Sequence, residues 1–254
     1  SRWLPSTAWR ICPLQGVKAR NSPIKPRADM EFARGILLKK VNTISMATSL
    51  SNSEFTQLAP DEQIAKTVQA LEAHGIRAVV FESGEEARSY VLDLIPSGAE
   101  VYNSPSRTLE LIGLIEDIEH PTRFQSVRAR LLSLDRVTQR TEMRKLGASP
   151  DVLVGSVHAI TEQGEIMVAS AVGSQLGPAA SGAGMVIWVV GTQKLVHMLE
   201  DGFRRIRQHS LPLESERTQR VYGQLSAINK LLIINGEAYP GRITIVLVKQ
   251  QLGF

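Results

Sequence analysis

Cysteine is almost missing from this chain. Its 254 residues include one cysteine, Cys12, which excludes an internal disulfide and an iron–sulfur cluster, since a cluster usually takes four thiolates. A chain that does not depend on oxidation is typical of a reducing compartment. The sequence also lacks an apolar run of about 18 residues or more, which excludes a membrane-spanning helix. We therefore expect a soluble, cytoplasmic protein without a membrane partner.

The sequence motifs of the common cofactors are absent as well. There is no G-x-x-x-x-G-K-[ST] phosphate loop and no G-x-G-x-x-G dinucleotide fingerprint, and the G-x-S-x-G motif of serine hydrolases is missing. The five histidines are scattered, without the H-x-x-x-H pair that would suit zinc. The sequence predicts no metal and no cofactor.

Positive charge is concentrated at the beginning of the chain. Residues 1–45 carry nine Lys or Arg and two acidic residues. The remaining residues, 46–254, carry 20 basic and 23 acidic side chains, so they are mildly acidic although the whole chain has a formal net charge of +4. Nucleic-acid binding requires clustered cations, and we expect no nucleic-acid partner for 46–254.

Three interpretations of residues 1–45 remain open. The segment is rich in Arg and Lys and poor in acids, as in an organellar transit peptide. It also fits a functional basic arm, or a non-native sequence placed ahead of a natural start at Met46. We favour the last, a non-native or disordered tail, because Ser1 is not an initiator residue. An organellar location would follow if the segment is a genuine transit peptide.

Helical and strand-like patterns alternate from residue 60 onward, and no linker or repeat interrupts them. The predicted helices are 60–74, 85–95, one that Ser104 caps, 123–146, 195–209 and 214–222, and the predicted strands are 76–82, 99–103, 151–161, 165–170, 185–191, 230–236 and 243–248. This alternation is typical of parallel βα units. We predict one α/β domain over 46–254, with a largely parallel sheet flanked by helices.

A long loop of small residues, 171–184, lies between two predicted strands. Glycines such as Gly173 permit close backbone approach to a bound group, and Ser170, Ser174 and Gln175 supply hydrogen-bonding side chains. Together they predict a nest of N–H groups for a phosphate or carboxylate. The alternative is a tightly packed or flexible connection, and we favour the ligand site because loops this long are usually functional.

Two candidate catalytic residues precede this loop. His158 lies two residues after Ser156, on the same face of a predicted strand, where it could exchange a proton near neutral pH; a structural, hydrogen-bonded histidine is the alternative. Glu162 lies at the turn of the hairpin and could supply a carboxylate, although a turn glutamate is ordinarily exposed.

Two further residues are candidates for anion binding. Ser104 begins a helix directly after a strand, where free N–H groups meet anions. Lys194 follows the most apolar strand, 185–191, and could contact an anion or simply begin the next helix. With Ser156, Ser170, Gly173, Ser174 and Gln175, these residues make up the predicted ligand site.

Several phrases of the sequence resemble the LUD-domain, or lactate-utilisation, family. They are TEMRKLGASPDVLVGSVHAITEQGEIMVASAVGSQL, MVIWVVGTQKLV, DGFRRIRQHSLPLESERTQRVYG and NKLLIINGE followed by PGRITIVLVKQQLGF. The resemblance covers about 100–254 and implies a layered fold of the NagB/RpiA/CoA-transferase type. Some members of the family accompany iron–sulfur and oxidoreductase subunits in lactate oxidation. This chain lacks their cysteine motifs, so it resembles a stand-alone member.

The resemblance leads to two functional hypotheses. In the first, the chain binds a small anionic metabolite in organic-acid metabolism and acts beside iron–sulfur or oxidoreductase partners. In the second, it is an enzyme acting on a CoA-linked or phosphorylated molecule, and by analogy with CoA transferases Glu162 is its nucleophile. Whether the chain is an enzyme, and whether it forms a homo-oligomer, stays open from the sequence.

Overall fold

The structure, a computed structural model, describes residues 54–119, 123–135 and 137–254. The helices and strands reported for the protein belong to these three ranges. The predicted tail of residues 1–45, with Cys12, lies outside the described residues, as does Met46.

The main sheet contains six parallel strands. They are β1 (Arg77–Phe81), β2 (Glu100–Asn103), β3 (Gln125–Ser126), β4 (Val152–Gly155), β7 (Met185–Gly191) and β10 (Ile243–Val248), in the order β1-β10-β7-β4-β2-β3. Each neighbouring pair runs in the same direction. The predicted α/β class, with a largely parallel sheet flanked by helices, is confirmed.

A second, smaller sheet lies beside the first and was not predicted. Its strands are β5 (Ala159–Thr161), β6 (Ile166–Ser170), β8 (Leu195–Val196) and β9 (Lys230–Ile234), in the order β8-β5-β6-β9. The predicted strand 151–161 is therefore two strands, β4 and β5, in different sheets. The hairpin between β5 and β6 is as predicted, with Gly164 at a positive φ of 88°.

Eight α-helices surround the sheets in the described part of the chain. They are α1 (Asp61–Ala73), α2 (Gly84–Leu94), α3 (Arg107–Leu111), α4 (Leu114–Glu119), α5 (Val127–Ser133), α6 (Arg140–Ala148), α7 (Leu199–Arg205) and α8 (Leu211–Tyr222). Ser83 begins α2 with a capping box. Its hydroxyl accepts a hydrogen bond from the Glu86 amide, and the Glu86 carboxylate accepts one from the Ser83 amide. These reciprocal bonds fix the start of the helix.

The central strand β7 shows how the core is divided. Val186, Trp188 and Val190 pack on one face with the second sheet and α1, while Ile187 and Val189 pack on the other face with α2, α3 and α4. Alternation with a period of two places successive side chains on opposite faces. Since both faces are covered, the strand is apolar throughout, as predicted for 185–191.

The predicted helix 123–146 is wrong, because three elements occupy that range. It begins with the short strand β3, which pairs with β2, and α5 and α6 come next, separated by a turn. In the turn the Asp135 carboxylate accepts hydrogen bonds from the amides of Val137 and Thr138. An aspartate that bonds nearby amides competes with the helical pattern of bonds, which explains the interruption.

The predicted helix cap at Ser104 is also wrong. The cap of α3 is Ser106, whose hydroxyl accepts from the Leu109 amide at 3.4 Å. Ser104 instead continues the ladder between β2 and β4, since its amide donates to the Val154 carbonyl at 2.9 Å. The chain thus runs two residues further from the strand before it turns into the helix.

Candidate functional site

The candidate site is a cleft at the carboxyl ends of β2 and β4. These strands are neighbours, but the next strand of the main sheet after β2 is β3, on one side, whereas the next after β4 is β7, on the other side, reached through β5 and β6. Where connections diverge in this way, a crevice forms between the strand ends, and open α/β sheets bind their ligands there. The segments that follow β2, β4 and β7 all reach the cleft.

The cleft has a volume of about 350 Å³. Six of the sequence-predicted site residues line it together, namely Ser156, His158, Ser170, Ser174, Gln175 and Lys194. The structure also adds lining residues that sequence reasoning did not select, among them Arg107, Thr108, Ser210 and Arg217. The polar lining is therefore rich in hydroxyl groups and cations.

The three other predicted site residues do not line the cleft. Ser104 is buried behind it, with its Oγ so close to Gly155 that a Cβ on this glycine would lie 2.5 Å away. Gly173 takes a positive φ of 87° in a turn against Lys230. Glu162 lies at the hairpin, where it pairs with Lys66 at 2.5 Å and with His197.

The loop 171–184 contributes only its first part to the cleft. Pro178–Gly182 form a π-helical turn, and the Arg242 guanidinium donates to the carbonyls of Ala179 and Ala183. The amides of Gly173, Leu176, Ala179, Ala183 and Gly184 all donate within the chain. The predicted nest is therefore not built from these amides, and side chains carry the polar chemistry of the cleft.

Lys194 is the most unusual residue of the lining. It ends a short 3-10 turn, Thr192–Lys194, directly after β7, and only 2% of its surface is exposed. Its Nζ lies 3.0 Å from Thr108 Oγ1 and 3.0 Å from Ser156 Oγ. No carboxylate of the described residues pairs with it, and burial together with the charge of Arg205 lowers its pKa well below the ordinary value.

A second buried cation, Arg205, stands behind the cleft wall. It is fully buried and donates from Nη1 to the His158 carbonyl at 2.6 Å and to Ser210 Oγ at 3.2 Å. Its Nε and Nη2 have no hydrogen-bond partner among the residues described, and burial lowers its pKa to about 9. Sequence reasoning missed Arg205; the available signal was its spacing from Gly202 and His209, which places an arginine on the buried face of its helix.

His158 is a neutral hydrogen-bond donor in this environment. Burial, with the charges of Lys194 and Arg205, lowers its pKa to about 3. The Ala169 amide donates to its Nδ1 at 3.2 Å, so the proton of the neutral ring is on Nε2. This arrangement favours donation of a hydrogen bond over proton exchange near neutral pH, and a catalytic role for His158 stays a prediction.

The rim of the cleft differs from its interior. Arg107 pairs with Glu110 and Arg217 pairs with Glu214, so the rim cations already have carboxylate partners. Apolar side chains stand beside them, including Val172 and Leu225, which are 74% and 68% exposed. The cations without a carboxylate are thus those of the interior, Lys194 and Arg205.

Two further observations concern the described residues as a whole. None of their helices is both long enough and apolar enough to cross a membrane. No group of three or more His, Cys, Asp or Glu side chains among them is placed to hold a metal ion.

Comparison with known proteins gives one family. The sequence model of the LUD domain matches residues 64–253, which is most of the chain. Among solved structures, the chain is similar to a DUF162 family protein from Deinococcus radiodurans, with 12% identity and a TM-score of 0.47 over 76% of this chain and 99% of that chain. No match was found among curated proteins.

Proposed function

The chain belongs to the LUD domain family, and from that premise we propose that its cleft binds a small organic anion of the lactate type. The family is associated with lactate utilisation, and hydroxy or oxo acids carry the carboxylate that the cleft would accept. The proposal extends to action beside iron–sulfur or oxidoreductase partners in organic-acid metabolism, for which family membership is the support.

The observation that carries the proposal is a buried amine without a carboxylate. Removing an ammonium group from water costs several kcal/mol in a protein interior unless an opposite charge compensates. Lys194 has only hydroxyl partners, and the neighbouring Arg205 is a second buried basic group without a carboxylate. A bound carboxylate or phosphate supplies the missing negative charge.

Binding of the anion is expected to change the protonation of Lys194. In the empty cleft its pKa is lowered, first by burial and then by Arg205. An anion beside Nζ favours the charged form and raises the pKa again. Binding is therefore coupled to proton uptake, and the affinity for the anion increases as the pH falls.

A specific observation also favours the second hypothesis, a larger CoA-linked or phosphorylated ligand. A volume of about 350 Å³ falls within the range of roughly 300–1,000 Å³ for pockets that hold drug-sized ligands. A three-carbon acid would leave part of this space unfilled. The exposed apolar rim at Val172 and Leu225 suits a ligand that extends beyond its anionic group.

Thermal unfolding in the presence of anions tests the proposal. L-lactate, pyruvate, phosphate and acetyl-CoA are compared at increasing concentration. At ~100 times the dissociation constant, an anion should stabilise the protein by about 2.7 kcal/mol, or roughly 5–10 °C at about 2–4 °C per kcal/mol for a domain of this size. The order in which the four ligands stabilise the protein separates the two hypotheses.

Two variants make the test specific to the cleft. Lys194→Met keeps an unbranched side chain of similar size, removes the amine and should abolish the stabilisation. Lys145→Met removes an exposed lysine of α6 and should leave it unchanged. The proposal fails if none of the anions stabilises the wild type, or if Lys194→Met responds as the wild type does.

A further inference from the structure

We propose that Ser156 and Lys194 form a nucleophile–base pair that transfers acyl groups from esters or thioesters of small organic acids. This goes beyond ligand binding, since it assigns to the cleft an activity and a covalent intermediate. It rests on the geometry of Thr108, Ser156 and Lys194, which lie in the segments that follow β2, β4 and β7.

The distances match those of an activated nucleophile. Ser156 Oγ lies 3.0 Å from Lys194 Nζ, within the range of about 2.6–3.2 Å for a nucleophile and its base. Both residues line the cleft, and Ser156 follows the carboxyl end of β4. Lys194 is in turn held by a third group, because its Nζ lies 3.0 Å from Thr108 Oγ1.

The hydrogen bonds of Thr108 fix the direction of the proton. Its hydroxyl is buried and donates its one proton to the Leu252 carbonyl at 3.0 Å, so Oγ1 accepts a hydrogen bond from Lys194 Nζ. An uncharged amine has two protons and one lone pair. With one proton directed to Thr108, the lone pair is available to the Ser156 hydroxyl, as general-base activation requires.

The surroundings favour the uncharged amine in the empty cleft. The titratable or charged groups near Lys194 are His158, His209 and Arg205 in the interior, and the rim adds Arg107, Glu214, Arg217, Tyr222 and the last residue, Phe254. Burial and Arg205 lower the pKa of Lys194, and no described carboxylate opposes them. The carboxylate of Glu214 is paired with Arg217.

Acylation follows directly from this arrangement. Ser156 Oγ attacks the carbonyl carbon of the substrate while its proton passes to Lys194 Nζ. The bond from the carbonyl carbon to the leaving oxygen or sulfur then breaks, and the ammonium returns the proton to the leaving group, which departs as an alcohol or a thiol. His158, a neutral donor in the lining, is positioned to stabilise negative charge in the cleft.

Deacylation uses water and the same base. Water attacks the acyl-serine and loses a proton to Lys194 Nζ, the bond between Oγ and the acyl carbon breaks, and Ser156 recovers its proton from the ammonium. The acid product ionises to a carboxylate. That product is itself the kind of anion that we propose the cleft to bind, so accumulating acid should slow the reaction.

Labelling of the full chain with an alkyl fluorophosphonate tests the pair. This probe phosphonylates an activated serine with loss of fluoride, and peptide mass spectrometry identifies the serine. We expect the label on Ser156, no label in Ser156→Ala, and a labelling rate at least about 100-fold lower in Lys194→Arg, as for the loss of a general base. Ser133→Ala and Lys145→Arg, both at exposed positions, should label as the wild type does.

Two further readouts separate a base from a structural lysine. The labelling rate of the wild type should rise with pH through the lowered pKa of Lys194 and then level. Thr108→Val should move this profile along the pH axis, since Thr108 is a positioning residue for the amine. Hydrolysis of 4-nitrophenyl acetate and of an acetyl thioester shows which leaving group the site accepts.

The outcomes distinguish this proposal from anion binding. Absence of label on Ser156 in a folded wild type, label on a different serine, or an unchanged rate in a folded Lys194→Arg overturns the nucleophile–base pair. If anions nevertheless stabilise the wild type through Lys194, the proposed function stands alone. If there is neither label nor stabilisation, both are rejected.

Discussion

Buried cations are the feature of individual residues that sets this cleft apart. Lys194 and Arg205 are both nearly inaccessible, and both are held by neutral oxygens: two hydroxyls for Lys194, a carbonyl and a hydroxyl for Arg205. Neutral acceptors satisfy donors but do not compensate a charge. The arrangement therefore disfavours the charged form of Lys194 in the empty protein and favours an anion in the cleft.

Two desolvated histidines, the buried His209 and the partly buried His158, predict how the free protein responds to acid. Burial lowers the pKa of His158 to about 3 and that of His209 to about 4, whereas both take up protons near about pH 6.5 in the unfolded chain. Between these values the unfolded state binds more protons than the native state, so the free energy of unfolding decreases as the pH falls. Urea unfolding at a series of pH values should show this loss from about pH 6.5 downward.

The variant His209→Gln tests how much of this pH dependence comes from His209. His209→Gln should weaken the dependence of stability on pH, even if the loss of the ring contact with Phe55 lowers stability overall. His74→Gln, at an exposed position, is the control and should leave the dependence as it is. Equal slopes in the wild type and His209→Gln would contradict the role of burial.

Six of the site residues selected from the sequence line the cleft, whereas the chemistry of the cleft required the structure. Ser156, His158 and Lys194 are recognisable because polar residues directly after apolar strands tend to lie at the same sheet edge. Arg205 was missed because arginines in a helical pattern are usually solvated. The charge state of Lys194 depends on burial and on Arg205, neither of which local sequence reveals.

At the scale of elements, the π-helical turn Pro178–Gly182 keeps half of the small-residue loop out of the cleft. Arg242 donates to carbonyls of this turn and pairs with Glu237. A Cβ at Gly182 would lie 1.9 Å from the Ala148 carbonyl oxygen, so the turn packs against the end of α6 only because this residue is glycine. Small residues in this part of the loop serve packing.

Replacement of Gly182 tests that interpretation. Gly182→Ala forces two backbone segments apart and should cost about 1–3 kcal/mol as an overpacking change, seen as a lower melting temperature. Gly147→Ala is the matched control, because Gly147 lies in α6 with only Leu131 Cδ1, at 3.9 Å, near the added Cβ. It should be neutral or stabilise by about 0.4–1 kcal/mol. A stable Gly182→Ala would contradict close packing.

Most long elements were predictable from apolar periodicity, and the errors arose where contacts other than this periodicity determine the structure. The helices α1 and α2 and the strands β7 and β10 show apolar spacing over their whole length. The range 123–146 reads as one helix because its charged residues suit a helix surface, whereas the pairing of β3 with β2 and the turn at Asp135 depend on contacts that spacing does not record. The break between β4 and β5 depends likewise on strands from elsewhere in the chain.

The topology of the whole molecule creates the cleft. Thr108, Ser156 and Lys194 are far apart in sequence and meet because β2, β4 and β7 are adjacent and parallel. Alternating helices and strands predict a parallel sheet, but they do not give the order of its strands or the second sheet. The α/β fold and the family were accessible from the sequence, whereas the contact between these three side chains required the structure.

Proton uptake on anion binding is the measurement that tests the central claim most directly. Calorimetric titration with pyruvate, or with phosphate if it binds more tightly, in buffers of different ionisation enthalpy gives the number of protons taken up per anion between about pH 7 and about pH 9. We predict net proton uptake by the wild type that vanishes in Lys194→Met, together with the binding itself. Binding without proton uptake, or uptake that persists in Lys194→Met, would contradict the claim that Lys194 is uncharged in the free protein and takes up a proton when an anion binds.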